Sequence, residues 1–296
     1  MISPSGLSGP VFLFQNPVSN LSKHSFIAAS LLEGSAFVTG AGSGIGEQTA
    51  YAFAKYGITK LAITDINLQD LEAVAANVQK RWPGVEVMML ELDVTKSEQV
   101  KSVLSQVVAR FGRLDIAVNN AGITGRVEQV NQPDEAHWSE VLSINLRGVH
   151  SCQKEEFRIM KDQEDLGPRR GRGSIVNVSS LNGLIKPLHP IHEIAYAAAK
   201  YDTGIIGITR ADAVSYSGSN VRINAICPGY METPTMGGSA RNQIENHPLH
   251  AQVKETPLRK LGQPEEIADG VVFLASSLSS FVNGFGLAVD GGYSCV

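Results

Sequence analysis

Ala36-Phe37-Val38-Thr39-Gly40-Ala41-Gly42-Ser43-Gly44-Ile45-Gly46 is the stretch that decides the fold of this chain. It opens as a short apolar run, turns through four glycines, and passes into a helical pattern carried by Ala50, Phe53, Ala54 and Tyr56. A strand that ends in a glycine loop and opens directly into a helix is an anion site. The glycines let the backbone approach a pyrophosphate, and the free N–H groups at the helix start donate to it. The spacing is Gly40-x-x-x-Gly44-x-Gly46, with Ile45 where a G-x-G-x-x-G pattern would place its last glycine. A glycine-rich turn without a ligand is the competing reading of the segment alone.

Working outward, the chain alternates. Apolar strand patterns lie at 35–39, 60–65, 85–91, 114–119, 173–179, 221–226 and 285–289. Helical patterns fill the gaps at 44–57, 68–81, 97–111, 134–161, 195–216 and 264–276. Such alternation predicts an α/β fold, a parallel sheet covered by helices on both faces. Right-handed crossovers make it doubly wound, with a ligand crevice at the carboxyl ends of the strands. Gly40, Asp65, Asn119, Ser180 and Pro228 all fall at or just past such ends.

Asp65 closes the second strand pattern, 19 residues after Gly46. A carboxylate about 20 residues after the loop is placed to accept hydrogen bonds from adenosine ribose hydroxyls, and it would repel a 2′-phosphate. No Lys or Arg stands in the glycine loop or directly after Asp65, where Ile66 and Asn67 follow. NAD is therefore preferred, with NADP not excluded. The competing role for Asp65 is an N-cap for the helix beginning near Leu68.

Tyr196-Ala197-Ala198-Ala199-Lys200 places a phenol and an ammonium on one helix face. A tyrosine with its ordinary pKa of about 10 is a poor base at neutral pH. One unit charge about 4 Å away, at an effective dielectric of about 20, stabilises a phenolate by about 4 kcal/mol. That is roughly three pKa units, enough to bring Tyr196 toward the range of efficient acid–base catalysis.

Taken together, the chain resembles the short-chain dehydrogenase/reductase family from about residue 32 to 296. Further segments are similar to its motifs in order: Leu92-Asp93-Val94, Asn119-Asn120-Ala121-Gly122, Asn145-Leu146-Arg147-Gly148, Ser179-Ser180-Leu181-Asn182-Gly183, Cys227-Pro228-Gly229 with Met231 and Thr233, and Val289-Asp290-Gly291-Gly292. The resemblance implies a single Rossmann-type domain with a mostly seven-stranded parallel sheet. It implies catalytic roles for Asn145, Ser180, Tyr196 and Lys200. Cofactor contacts are implied at Gly40, Ser43, Gly44, Ile45, Gly46, Asp65, Asp93, Val94, Asn120, Ala121, Gly122, Tyr196, Lys200, Pro228, Gly229, Met231 and Thr233. Ser180 would hold the reacting oxygen, and Asn145 would hold a water that relays protons from Lys200. Each has a plainer role open to it: Ser180 as the cap of a strand-end turn, Asn145 as a link between helix and sheet. Asn119 is assigned to sheet cohesion.

The departures from the family pattern are local. Ser180 and Tyr196 stand 16 residues apart, with extra length in Ile185–His192. After Lys200, Tyr201-Asp202-Thr203-Gly204 adds residues before Ile205, which predicts a bulge or broken turn. Gly167-Pro168-Arg169-Arg170-Gly171-Arg172-Gly173 reads as a solvated basic insertion. Residues 1–31, rich in Ser, Pro and Gly, form an arm. The segment 230–263, with Met231, Met236, Ile244 and Leu249, reads as a substrate lid.

Composition bounds the rest. With 296 residues and 43% hydrophobic residues the chain can bury a sizeable core. A net charge of −4 gives no electrostatic case for nucleic acid or an anionic membrane. Three cysteines without metal or pairing spacing fit a reducing, cytoplasmic setting. His189, His192, His247 and His250 have no metal-ligand spacing, so no metal is expected. The function expected is NAD(P)-dependent interconversion of an alcohol and a ketone, on a lipophilic or biosynthetic-intermediate substrate. A non-redox cyclisation or isomerisation on the same fold, or a non-catalytic dinucleotide-binding regulator, is the alternative. A homotetramer or homodimer through the 134–161 and 195–216 helices is the family expectation.

Overall fold

The computed structural model describes residues 30–124, 134–185, 194–200, 204–232 and 250–296, the last without the side chain of His250. The arm at 1–29, Thr233 with Met236, Ile244, His247 and Leu249, His189 and His192 with most of the 185–192 insertion, and Tyr201–Thr203 lie outside the described residues.

Seven strands run in parallel in the order β3-β2-β1-β4-β5-β6-β7. They are β1 (Ser35–Thr39), β2 (Lys60–Asp65), β3 (Glu86–Glu91), β4 (Ile116–Asn119), β5 (Gly173–Val178), β6 (Val221–Pro228) and β7 (Gly286–Val289). The expected doubly wound α/β fold is therefore what the chain forms. β1 pairs with β2 on one side (Ala36 opposite Leu61) and with β4 on the other (Ala36 opposite Ile116). The order of winding reverses between β1 and β4. Loops leaving two such strands diverge to opposite faces, and a crevice opens between them.

Nine helices of the described residues cover the sheet: α1 (Gly44–Lys55), α2 (Leu68–Arg81), α3 (Ser97–Phe111), α4 (Glu135–Leu142), α5 (Val149–Met160), α6 (Ile194–Lys200), α7 (Ile205–Ser215), α8 (His250–Glu255) and α9 (Pro264–Ala275). Alternation along the strands sorts the core. Ala36 and Val38 of β1 face a cluster with α1, α2 and α9, whereas Phe37 faces one with α3 and α5. This is the period-2 geometry of a strand buried on both faces. Caps fix several helix starts. Asn67 accepts from the N–H groups of Gln69 and Asp70, Asp134 from Ala136 and His137, and Gln263 forms a capping box with Glu266 before Pro264.

One expected helix carries a π turn, and another restarts after a non-helical glycine. The 134–161 pattern is α4, a π-helical turn over Ser143–Gly148, and α5. A π turn places one extra residue in the helix and rotates a side chain inward, here Asn145. The 195–216 pattern ends as α6 at Lys200 and restarts as α7 at Ile205 after Gly204, with φ −86° and ψ −118°. Gly204 is thus non-helical, while the rest of the expected bulge or broken turn, Tyr201–Thr203, lies outside the described residues. β6 runs two residues past the expected end, because Cys227 and Pro228 pair with Ala288 and Val289.

The basic insertion is exposed at Pro168, Arg169 and Arg170, and it is also tied to its neighbours. Arg169 donates to the carbonyl of Ser277, Arg170 pairs with Glu33, and Arg172 donates to the carbonyl of Gln163. They bind the amino-terminal edge of the sheet, the edge away from the glycine loop.

Where the segment 230–263 leaves and rejoins the sheet, its two ends are joined. The Gly262 N–H donates to the carbonyl of Tyr230 and the Glu232 N–H to that of Gly262, each at 2.9 Å. Gln263 adds a side-chain hydrogen bond to Glu232 at 2.8 Å.

Candidate active site

The crevice begins at the end of β1. Gly40 turns the chain at φ +64°, a region open to glycine without strain. Gly46 then lies so close to Gly40 that a Cβ would stand 2.0 Å from the Gly40 carbonyl oxygen. The helix that follows has Ser43 as its N-cap, with no side-chain cap hydrogen bond. Among the described residues, the amides at the start of α1 thus receive no side-chain cap, the condition an anion site requires.

Across the switch point, the loops after β1 and β4 are laced together. The Thr39 hydroxyl accepts from the Asn120 and Ala121 N–H groups at 3.0 and 3.1 Å. The Asn120 side chain donates to the carbonyls of Thr39 and Gly40 at 3.2 and 2.9 Å. Thr39 was not among the expected site residues, although a hydroxyl at the last strand position is a visible signal. The next residue pair is clamped as tightly. Asn145 is fully buried; its side chain accepts from the Ile123 N–H and donates to the Ile123 carbonyl, each at 2.8 Å. The side chain thus links the π turn to the loop after Gly122.

Asp65 sits at the end of β2 beside the glycine loop. Its carboxylate accepts from the Gly42 N–H at 3.0 Å and from the Asn67 N–H at 3.1 Å. The N-cap of α2 is Asn67, so capping does not account for Asp65. Asp93, at the end of β3, is turned on its own loop. The Thr95 hydroxyl, with the Thr95 amide and the Lys96 ammonium, holds its carboxyl below the ordinary range. Val94 is buried against Gly148.

β5 delivers Ser179 and Ser180. The Ser180 hydroxyl oxygen accepts from the Asn182 N–H at 3.2 Å, which caps a short 3₁₀ turn and leaves the hydroxyl proton free to be donated. Asn182 is itself buried, and its side-chain oxygen has no hydrogen-bond partner. The Ser179 hydroxyl donates to the carbonyl of Lys200 at 2.9 Å and so pins the end of α6 against the end of β5.

Lys200 is 4% exposed, and its ammonium donates to the carbonyl of Val178 at 2.7 Å. The same nitrogen lies 5.9 Å from the centre of the Tyr196 ring. Burial lowers the Lys200 pKa to about 8. Beneath it Cys227 is buried, and desolvation pushes its thiol up to about 12, so it is inert. Pro228, Gly229 and Met231 close the rim at the end of β6, where Met231 forms a bridge with Gly262. The site residues within the described chain thus stand along one edge of the sheet. Loops from β1, β2, β3, β4, β5 and β6 bring them there.

A family model described as enoyl-(acyl carrier protein) reductase matches residues 40–294. The chain is 38% identical to cis-4-hydroxycyclohexanecarboxylate dehydrogenase of Sinomonas cyclohexanicum, over 88% of this chain and 96% of that protein.

This chain belongs to the short-chain dehydrogenase/reductase family.

Cyclohexanol dehydrogenase of an Acinetobacter species is a further relative, 35% identical over 88% of this chain and 94% of its own length. A solved structure of levodione reductase superposes with a TM-score of 0.78 at 34% identity, covering 89% of this chain and 98% of that one. As a member of this family the protein is an oxidoreductase of CH–OH groups, an alcohol dehydrogenase or ketoreductase that uses NAD(P). Among the described residues, no helix is long and apolar enough to cross a membrane.

Proposed function

We propose that this short-chain dehydrogenase/reductase interconverts a cyclic or otherwise lipophilic secondary alcohol and its ketone, with NAD(H) as its preferred cofactor. The observation that carries the reading is the buried Lys200 ammonium beside the Tyr196 ring, held on the carbonyl of Val178 two residues before Ser180. A desolvated cation there acts through a low effective dielectric and favours the phenolate.

In the oxidation direction, the Tyr196 phenolate takes the proton of the substrate hydroxyl. A nicotinamide, when bound, would supply the acceptor for the carbinol hydride. Ser180 donates its hydroxyl proton to the reacting oxygen and holds it in line, as one positioned donor at a developing charge. In reduction Tyr196 is the acid. Lys200 lowers the Tyr196 pKa and would hold the nicotinamide ribose, while Asn145 would hold the relay water of the family's proton path. Its side chain is committed to Ile123, so its backbone is the part left to meet that water.

A pyrophosphate suits the glycine cradle, since the space beside Gly44 is open and Ser43 makes no side-chain cap to the amides at the start of α1. Gly40, Ser43, Gly44, Ile45 and Gly46 would hold it. Asp65 would accept from the adenosine ribose, Asp93 and Val94 would flank the adenine, and Asn120, Ala121 and Gly122 would line the ribose side. Pro228, Gly229, Met231 and Thr233 would border the nicotinamide. Asp65 supports NAD(H), because its carboxylate at the glycine loop would repel a 2′-phosphate.

The cyclohexane rings named for two of the relatives support a cyclic substrate. The 184–195 and 230–263 segments would select it, the latter as a lid on a domain spanning 32–296 that carries an arm at 1–31. Self-association as a dimer or tetramer through the 134–161 and 195–216 helices accords with Val214, more than half exposed on α7. Fully exposed Phe281 and half-exposed Phe285 near β7 offer a second apolar face. The free thiols of Cys152, Cys227 and Cys295 accord with a cytoplasmic setting.

The test is the affinity for NADH and NADPH, followed by a screen of cyclic secondary alcohols with NAD. NADH tighter by at least about tenfold, about 1.4 kcal/mol, with turnover of a cyclic alcohol, is the expected result. A folded protein that binds neither nucleotide would sink the reading.

A further inference from the structure

Glu156 is fully buried on α5, in the stripe formed with Val149, Cys152, Gln153, Phe157 and Met160 that packs against the sheet. Its Oε2 accepts from Asn119 Nδ2 at 2.9 Å. Its Oε1 and the Oδ1 of Asn119 are both buried, and neither has a hydrogen-bond partner. Two acceptors cannot satisfy one another while the carboxyl is ionised. A neutral carboxylic acid carries the one proton that removes both orphans, since its O–H can donate to the amide oxygen while its carbonyl accepts from the amide nitrogen.

The surroundings agree. On α5, Cys152 is the titratable neighbour, and burial with the nearby Glu156 pushes its thiol well above the usual range. From β4 comes Asn119, and from β5 Asn177, which accepts from Asn119 and donates to Gln153 and to Thr209 of α7. Gln153 in turn donates to Asp212 of α7 at 2.6 Å. The face that α3 buries is Val100, Val103, Leu104, Val107 and Phe111. The π turn contributes buried Asn145, while its Arg147 is exposed. Arg158 and Lys154 pair with Glu155 rather than Glu156. No cation among the described residues compensates a charge on Glu156.

We propose that Glu156 is held in the core as a neutral acid paired through both oxygens with the Asn119 side chain, and that its ionisation at alkaline pH unlocks the end of β4. Asn119 is the last residue of that strand, and Asn120 and Ala121 follow it directly onto Thr39 and the glycine loop. Glu156 is then a positioning residue whose proton holds the cofactor crevice closed from beneath. Desolvation raises its pKa from 4.5 to about 8. An acid with a raised folded-state value contributes stability that is fully present below about 4.5 and is lost as pH rises to about 8.

The experiment compares the full chain with Glu156→Gln, which keeps the shape and cannot ionise. Melting temperatures are measured from pH 5 to 9.5, and NADH affinity over the same range by tryptophan fluorescence. The wild type is expected to lose several degrees relative to E156Q as pH rises through this window. Its NADH affinity should fall about tenfold relative to E156Q above about pH 8. A melting difference that stays flat with pH would overturn the neutral acid. A pH-dependent melting difference with parallel NADH affinities would overturn the unlocking of β4.

The second half of the proposal rests on the cofactor reading. If neither protein bound NADH at any pH, that reading and the unlocking would fall, and the melting curves would still decide the acid–amide pair. Should E156Q not fold, infrared spectra of wild type labelled with ¹³C-glutamate decide the question. A neutral carboxyl band at pH 6 that vanishes by pH 10 supports the pair, and its absence at pH 6 refutes it.

Discussion

The Lys200 ammonium is bound to the carbonyl of Val178 at 2.7 Å, and the pair is sealed from water. A cation in that position is costly. Below about pH 8 Lys200 is charged in both the folded and unfolded chain, and the folded state bears the whole desolvation cost. Between about 8 and the ordinary 10.5 the folded protein releases its proton first, so the cost is relieved and stability rises. Lys200→Met removes both the charge and its titration. The melting temperature of wild type minus that of K200M is expected to increase from pH 8 to 10, with turnover abolished throughout. A difference that does not change with pH would show that the ammonium is better solvated than its burial indicates.

Tyr196→Phe removes one oxygen and leaves the ring beside Lys200. The expected result is a kcat reduced by about 10²–10⁴, the range for one general acid–base group, with NADH affinity changed by less than about threefold. Stopped-flow turnover and nucleotide titration check the two numbers separately. Substantial turnover in Y196F would favour the non-redox alternative or a different proton donor.

Asp65 is tied to the glycine loop through Gly42 and is not the cap of α2. Asp65→Ser keeps a polar group at that loop without the charge. NADPH affinity is expected to rise relative to NADH by about tenfold or more, about 1.4 kcal/mol, as measured by calorimetry with both nucleotides. An unchanged ratio would assign the discrimination to residues other than Asp65.

Gly46 has no room for a methyl group, since the Gly40 carbonyl lies 2.0 Å from the Cβ position. Gly46→Ala is therefore expected to push the glycine loop apart and lower NADH affinity by at least about tenfold. Gly84 has no heavy atom within 4 Å of its Cβ position, and Gly84→Ala should bind normally. Comparing the two by nucleotide titration and melting separates a local steric effect from a general glycine effect.

The order of strands and helices was readable because each strand pattern is a short apolar run and each helix an amphipathic one. The glycine loop and the proximity of Tyr196 to Lys200 were readable because each depends on a fixed local spacing. The π turn at Asn145 was not, since an inserted residue within a continuous helical pattern changes no periodicity that a short window can resolve. The side-chain lacing of Thr39 to Asn120 and Ala121 joins residues more than 80 positions apart, which only the fold brings together. Glu156 left a trace: a carboxyl on the stripe of Cys152 and Met160, where one expects an apolar side chain. Three arginines within four residues signalled an exposed loop, but not the carbonyls and Glu33 at the sheet edge that receive them, since these are distant in sequence.

The clasp of Tyr230 and Glu232 onto Gly262 has an evolutionary and engineering consequence. A loop tied off at its base can be lengthened, shortened or exchanged without transmitting the change to the strand that carries it. If the segment selects the substrate as proposed, a chimera made by cutting between Glu232 and Gly262 would carry a foreign selectivity while the strand ends stay unaltered.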